Sequence, residues 1–213
     1  MDLSVTSQRE YVVAKATELF VEQGIKAVRM DDIAHELSIS KRTLYEMFAD
    51  KRELLKECLA YHIASNNEFL HGVVSGAENV LEEVMLIIRI AYQANEKSRV
   101  FMRSMEKYYP DFYQPFKERQ SAIGSKMFRD MLQRGVDEQV FVADMNIEFA
   151  EAMFSITLNG LVSSKAMLLP EGVTIRDAVS YFIINFFRGL STAKGLAMID
   201  EYKHKYIDNK MIK

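Results

Sequence analysis

The chain has 213 residues, 49% of them hydrophobic and 27% charged, and its formal net charge is −3. This composition is typical of a globular protein and excludes an intrinsically disordered chain. The single cysteine, Cys58, excludes an internal disulfide, and no apolar stretch approaches the roughly 18–20 residues that a membrane span requires.

The first residues of the chain lack the basic and then apolar layout of a signal peptide, so we expect a cytoplasmic protein. The slightly negative net charge gives the chain no overall attraction for nucleic acid. Any binding to DNA would therefore depend on a local basic surface.

The spacing of apolar residues predicts helices from the start of the chain, since no alternating run is bounded by hairpin turn dipeptides. The first helix is expected to end at Gly24. Two short helices, Asp31–Leu37 and Lys41–Phe48, follow it and are joined by the link Ser38-Ile39-Ser40. Such a link allows only a tight, angled corner. A longer connecting helix is predicted from Lys51 to His71.

The second half of the chain also has helical periodicity. The segment Asn79–Lys97 is apolar over a broad face, which predicts a central helix surrounded by others. Further helices are predicted over about 99–108, 115–134, 146–168 and 174–194. Breaks between them are expected near Pro110, Gly135 and Pro170-Glu171-Gly172. The predicted fold class is therefore all-α.

The strongest pattern lies in the two short helices and predicts a helix-turn-helix. Apolar residues at helical spacing would bury one face of each helix and fill the corner between them. The residues expected to face inwards are Met30, Ile33, Ala34, Leu37, Ile39, Leu44 and Phe48. With these positions buried, Lys41, Arg42, Thr43, Tyr45 and Met47 fall on the outer or flanking faces of the second helix. A recognition helix presents such positions to the major groove of DNA.

The chemistry of these outer residues suits DNA. Lys41 and Arg42 can donate to guanine O6 and N7 or to phosphates, and the hydroxyls of Thr43 and Tyr45 can bind phosphate oxygens. Lys51 opens the next helix, where its side chain and the free backbone amides could hold a phosphate. The positive charge is local, because Ser38–Arg52 has four basic residues against two acidic ones.

These residues resemble the TetR family of bacterial transcriptional regulators. The resemblance covers about Ser7–Lys56, and the remainder of the chain matches only in being helical and of suitable length. Its most specific parts are Asp32-Ile-Ala34, Ile39-Ser-Lys-Arg-Thr-Leu-Tyr45, Phe48, Lys51 and Leu54-Leu55.

The resemblance implies a helix-turn-helix DNA-binding domain, residues 1–56, joined by a continuous helix to a helical ligand-binding and dimerisation domain, residues 57–213. The implied function is that of a homodimeric repressor of a palindromic operator, released by a small, largely apolar effector. The expected partners are double-stranded DNA, that effector and a second copy of the chain, with no cofactor and no membrane. The residues expected to contact DNA are Arg29, Ser40, Lys41, Arg42, Thr43, Tyr45 and Lys51.

Three residues depart from the family pattern. Arg29 stands where a capping Thr or Ser is common, so the cap of the first short helix must be weaker or made by another group, although Arg29 could instead add a phosphate contact. Ser38 replaces the common corner glycine and would be strained if the backbone there has a positive φ. Met47 replaces an aromatic residue or histidine that often touches phosphate.

Methionines and aromatic residues at helical spacing in the second half allow two interpretations. They could form an ordinary helical core, or they could line a cavity for the apolar effector. His62 borders the same stripe on the connecting helix, where it could be either a core residue or a ligand contact. The candidate effector-binding residues are His62, Met85, Tyr92, Phe101, Met105, Phe128, Met131 and Phe154.

Small residues beside large ones in the last two predicted helices, such as Gly160 and Gly189, permit close helix approach. Packing within one subunit explains them as well as a dimer interface does, and the resemblance favours a two-fold dimer.

The sequence contains no G-x-S-x-G motif, no phosphate-binding loop, no H-E-x-x-H motif and no paired cysteines, and its histidines form no close set with carboxylates or Cys58. We therefore expect neither an enzyme nor a metal site. A rival interpretation is a helical ligand-binding or protein-interaction module whose corner motif no longer binds DNA. The net-zero charge of Ser7–Lys56 and the departures at Ser38 and Met47 favour that rival.

Overall fold

The computed structural model describes residues 5–93, 96–163 and 169–208, and every regular element within these ranges is a helix. The all-α prediction is confirmed. The helices are α1 (Val5–Gln23), α2 (Met30–Glu36), α3 (Lys41–Met47), α4 (Lys51–Val74), α5 (Val80–Gln93), α6 (Glu96–Tyr108), α7 (Pro110–Asp137), α8 (Ile147–Ser163), α9 (Ile175–Leu190) and α10 (Ala193–Lys203), followed by a π-helical turn (His204–Asp208). Among the residues described, no helix combines the length and apolarity needed to cross a membrane.

The described residues form two compact units. The first is drawn from Met1–Phe69 and Asn95–Lys117, and the second from Leu70–Ala94 and Glu118–Lys213. The first unit thus contains α6 and the start of α7 in addition to the helix-turn-helix. The division at residue 56 expected from the resemblance is a functional one and stays a prediction.

The core of the first unit holds the helix-turn-helix together. Ile33, Leu44 and Phe48 have no exposed surface, and Met30 and Ala34 are also buried. The inward face predicted for the two short helices is confirmed, with the remaining two members, Leu37 and Ile39, packed partly buried against the same core. Phe101 and Met105 of α6 belong to this core as well, at 1% and 0% exposure. The helix-turn-helix therefore rests on residues more than 40 positions further along the chain.

The core of the second unit surrounds α5. Val80, Leu81, Val84, Met85 and Ile88 are buried there, as predicted for a central helix. Phenylalanines of α7, α8 and α9 pack against this core, and the rings of Phe128 and Phe154 stack with 4.3 Å between centroids. The described part of α8 ends at Ser163, so the predicted continuation to Leu168 lies outside the described residues.

The predicted helix over 174–194 is wrong at its end, because the chain breaks between α9 and α10. Thr192 caps α10 by accepting a hydrogen bond from the Gly195 amide, and its own amide donates to the Val140 carbonyl at 3.0 Å. An isolated β-bridge pairs Ser191 with Phe141. These partners lie about 50 residues away in sequence, so no local pattern could reveal the break.

The expected break near Pro110 is present between α6 and α7, but both predicted ends of the next helix differ from the structure. The helix predicted from Pro115 begins at Pro110, where the missing proline amide costs nothing, and Pro115 lies inside it. Gly135 does not end that helix. A Cβ at Gly135 would lie 2.0 Å from the Phe141 ring, so this glycine permits close packing and does not mark a turn.

Candidate nucleic-acid interface

The first short helix of the motif, α2, is capped by its own acidic residue. Arg29 occupies the N-cap position in extended conformation, and the Asp32 carboxylate accepts its backbone N–H at 2.7 Å. This bond is the carboxylate half of a capping box. The negative charges of Asp31 and Asp32 also interact favourably with the positive N-terminal end of the helix dipole. The expectation that α2 is capped by something other than the Arg29 side chain is confirmed, and the Arg29 side chain is exposed.

The corner between α2 and α3 contains a left-handed residue. Ser38 has φ = +53°, a conformation that glycine adopts without strain and serine adopts at a cost of about 1 kcal/mol. The Ile39 amide donates to the Ala34 carbonyl at 3.0 Å and closes the turn behind it. The tight corner predicted from the short link is therefore present. Ser38 carries the backbone strain expected of a serine that replaces the family's common glycine at a positive φ.

Ser40 and Thr43 form the N-terminal cap of α3. The Ser40 hydroxyl accepts the Thr43 amide at 3.0 Å and shares a second hydrogen bond with the Thr43 hydroxyl at 2.8 Å. Both hydroxyls therefore have a structural task in the free protein. The bond between the two hydroxyls uses one of their two protons, so the other proton can be donated to an incoming phosphate oxygen.

The two basic residues at the start of α3 are exposed and paired with acids. Lys41 lies 2.5 Å from the Asp31 carboxylate, and Arg42 lies 2.8 Å from Glu46, one turn along the same helix. The side chain of Arg42 is 88% exposed. Exposed ion pairs of this kind contribute about 0–1 kcal/mol, so a phosphate or a base edge could replace the carboxylate at little cost.

Tyr45 and Lys51 differ in their availability. The Tyr45 ring is 49% exposed and lies on the outer part of α3, as expected. Lys51 is half-buried, and its ammonium donates to the backbone carbonyls of Ile25 and Val28. Partial burial lowers the pKa of Lys51. In the free protein this side chain therefore holds the loop between α1 and α2, and the role proposed for it at a phosphate stays a prediction.

A cluster at the other end of α3 was not predicted from the sequence. Arg9 of α1 donates to the carbonyl of Met47, the last residue of α3, and to the carboxylates of Glu53 and Glu57 on α4. Its guanidinium also lies 4.2 Å from the centre of the Phe48 ring. We call Arg9, Glu53 and Glu57, with the Met47 carbonyl, the α3 C-terminal cluster. Its members are separated by up to 48 residues, so no local pattern connects them.

Glu53 carries a pH dependence that can be measured. Its carboxylate accepts the Ala49 amide at 2.8 Å and pairs with Arg9, and these bonds lower its pKa below the ordinary 4.5. Such a group stabilises the fold fully above pH 4.5, and the contribution is lost as pH falls through the folded pKa. We expect Glu53→Gln to remove this contribution, so that the wild-type advantage in urea unfolding shrinks as pH falls from 7 to 3. Wild-type and variant curves that run parallel over this range would contradict the expectation.

The residues predicted to bind an effector fall into two groups. His62, Phe101 and Met105 lie in the first unit, where the His62 and Phe101 rings meet edge to face at 5.2 Å. Another set of four, all belonging to the second unit, comprises Met85, Phe128, Met131 and Phe154. The side chain of Tyr92 lies outside the described residues. Burial lowers the pKa of His62, which favours its neutral form in this apolar setting.

A polar cavity of about 280 Å³ opens in the second unit, and none of the predicted effector residues lines it. Its walls include Glu78, Glu138 and the ion pair of Glu83 with Arg134, whose atoms lie 2.6 Å apart.

The single cysteine, Cys58, is fully buried in the first unit, and burial raises the pKa of its thiol to about 12. This supports a packing role for the cysteine and not a reactive one.

Known proteins were compared with the chain by sequence. Residues 12–58 match the family model described as bacterial regulatory proteins, tetR family. The transcriptional repressor KstR2 of Mycobacterium tuberculosis is 24% identical over 148 residues, which cover 68% of this chain and 74% of the repressor. The transcriptional activator FasR of Mycolicibacterium smegmatis is 38% identical over 74 residues, covering 35% of this chain and 31% of FasR.

The fold was compared with solved structures. A TetR-family transcriptional regulator from Cytophaga hutchinsonii matches with a TM-score of 0.68 at 14% identity, over 90% of this chain and 99% of that one. The ketosteroid transcriptional regulator KstR2 matches with a TM-score of 0.53 at 21% identity, over 89% of this chain and 97% of that one. Both structures share the fold with this chain over nearly its whole length.

Proposed function

We propose that this chain, whose residues 12–58 match the tetR family of bacterial regulatory proteins, is a transcriptional repressor in which α3 reads the major groove of an operator. The observation that carries this proposal is the exposed surface of α3 on the outer and flanking sides of the buried Leu44. Lys41, Arg42 and Tyr45 are all exposed there, with donors that suit phosphates and guanine. In this proposal Ser40 and Thr43 keep the first turn of α3 in shape and add hydroxyl contacts, while Arg29 and Lys51 contact the DNA backbone.

The exposed apolar surface of α8 supports a homodimer. Phe149, Met153 and Ile156 are 65%, 44% and 68% exposed, and their spacing puts them on one side of the helix. Tyr181 of α9 is 72% exposed. Exposing these neighbouring apolar side chains to water is unfavourable in free energy unless another surface covers them. The same surface of a second copy can cover them around a two-fold axis. Two recognition helices would then meet half-sites about 34–36 Å apart in a palindromic operator.

Ile156→Glu tests the dimer. Two glutamates brought together at an apolar two-fold contact would be desolvated, so we expect the variant to be monomeric at concentrations about 100-fold above the wild-type dissociation constant. Val100→Glu, at a 44% exposed position on α6, is the matched control and should leave the wild-type mass unchanged in sedimentation equilibrium. A dimeric Ile156→Glu protein would contradict this interface.

We further propose that a small apolar effector releases the DNA. The support is the partly buried aromatic group of Phe128 and Phe154, together with the relative KstR2, a ketosteroid regulator. The effector would favour a conformation in which α4 carries α3 out of register with the groove, and it must bind the two conformations with different affinity. Steroids and fatty acids that raise the melting temperature of the protein are first selected, and each is then titrated into the complex with the operator. If none of them weakens operator binding, the effector proposal is contradicted and the DNA-binding proposal is not.

The DNA-binding proposal is tested by selecting duplexes from a random library with the purified full-length chain. A palindromic enriched site is the expected result. Its affinity should fall steeply between 50 and 200 mM salt, because each phosphate contact contributes a slope of about −0.9 in log–log form. A folded, dimeric protein that enriches no duplex would favour the rival function, a ligand-binding or protein-interaction module without DNA binding.

A further inference from the structure

Helix α3 has little of its own to hold its orientation. It has seven residues, and Leu44 is the only one of them that is fully buried. Its N-terminus is fixed by the Ser40 cap, since the Ser40 hydroxyl accepts the Thr43 amide. Phe48, the residue directly after α3, is also buried in the core. Leu44 and Phe48 are four residues apart and so lie on one side of the helix, and a further contact at the C-terminus limits rotation of α3 about the line that joins them.

The α3 C-terminal cluster supplies that further contact. The carbonyls at a helix C-terminus carry partial negative charge, and the guanidinium of Arg9 donates to one of them, that of Met47. The same guanidinium is held by two carboxylates of α4, with 3.1 Å to Glu53 and 3.2 Å to Glu57. Glu53 in turn accepts the amide of Ala49 in the turn after α3. One planar side chain thus connects α1, the end of α3 and the start of α4.

We infer that Arg9 is a positioning residue for DNA reading, which sets the direction of α3 without touching the DNA. The inference rests on the proposed function. Contacts with phosphates tolerate small displacements, since they depend on net positive charge near the DNA. Paired hydrogen bonds to a base edge require fixed geometry. Removal of the Arg9 side chain therefore lowers the discrimination between operator and other DNA more than it lowers the attraction for DNA.

The test compares Arg9→Ala and Arg9→Lys with the wild-type chain. Each protein is titrated with the duplex that the wild type enriches and with a scrambled duplex of equal length, at one salt concentration. We expect the ratio of the two affinities to fall at least about tenfold in both variants. Lysine keeps the charge, but its compact ammonium cannot reproduce the fork that spans a carbonyl and two carboxylates. Affinity for the scrambled duplex should change less than about threefold, in line with the loss of at most one charge.

Lys15→Ala is the matched control, because it removes an exposed, ion-paired cation from the same helix. It should leave the affinity ratio unchanged. A purely structural role for Arg9 would lower the fraction of folded protein and so reduce both affinities equally. Binding stoichiometry and a melting curve for each variant reveal such a loss of folded protein. Equal reductions of both affinities would overturn the inference, whereas a change in the ratio of the two affinities supports it.

Hydrogen exchange gives a second measurement that does not depend on DNA. The amides of Leu44 and Phe48 should exchange faster in both Arg9 variants while those of α1 keep their protection. If the wild type enriches a duplex but the Arg9 variants keep its affinity ratio, or keep its exchange rates in α3, the inference about Arg9 is overturned and the proposed function is not. A wild-type chain that enriches no duplex overturns the proposed function, and the DNA-reading role of Arg9 with it.

Discussion

The variant Lys41→Ala/Arg42→Ala/Tyr45→Ala is expected to bind the enriched duplex at least about 100-fold more weakly than the wild type. All three side chains are exposed on α3, and Lys41 and Arg42 are paired in the free protein only with exposed carboxylates, which DNA could displace. Removing a specific interaction with a base at one such position costs about 1–3 kcal/mol. The salt dependence should also become shallower by about two phosphate contacts, which filter binding or fluorescence anisotropy at several salt concentrations measures.

The fold should survive this triple substitution, because none of the three side chains belongs to the buried core. A control of the same composition is Arg103→Ala/Lys126→Ala/Tyr61→Ala, which removes two exposed, ion-paired cations and a partly exposed tyrosine from α6, α7 and α4. It should bind the duplex as the wild type does. Equal reductions of affinity in the two triple variants would mean that only net charge matters and would contradict reading by α3.

Gly195→Ala is expected to reduce the free energy of unfolding by about 2–4 kcal/mol. A Cβ at this position would lie 2.2 Å from the Val140 carbonyl oxygen. That oxygen belongs to the backbone and accepts the Thr192 amide at the start of α10, so it cannot move aside without breaking the bond. The substitution should therefore loosen the junction of α9 and α10. Chemical denaturation followed by circular dichroism measures the decrease in stability.

Gly124→Ala provides the matched comparison with the opposite sign. Gly124 lies inside α7, and a Cβ there meets nothing within 4 Å. Alanine restricts the unfolded chain more than glycine does, so we expect a stabilisation of about 0.5–1 kcal/mol. If both substitutions changed stability by the same amount, close approach at Gly195 would not be the reason for its glycine.

The helix-turn-helix could be predicted because its signals are local. The buried residues repeat at helical spacing, Ser40 precedes its helix as a cap, and the link of three residues fits one kind of corner. Even the backbone strain at Ser38 followed from one absent glycine. The exposed side of α3 then followed by elimination, since the buried positions leave Lys41 and Arg42 on the outer and flanking faces of the helix.

The features that were not predicted depend on distant partners. The end of α9 is set by Phe141 and Val140, and the role of Gly135 is set by the ring of Phe141. The contact of Arg9 with α3 crosses 38 residues of sequence. The methionines and aromatics of the second half show periodicity alone, and periodicity cannot distinguish a residue that fills a core from one that lines a cavity.

The interleaving of the two units along the chain has a consequence for biosynthesis. Phe101, Met105 and Tyr113 complete the core under the helix-turn-helix, and the ribosome makes them well after α3 and α4. The intervening residues 70–94 belong to the other unit, whose remaining helices come later still. The nascent helix α3 therefore has no finished core to rest on until about residue 117 has left the exit tunnel. We expect newly made chains to hold α3 in a stable core only after α6 and the start of α7 have been synthesised.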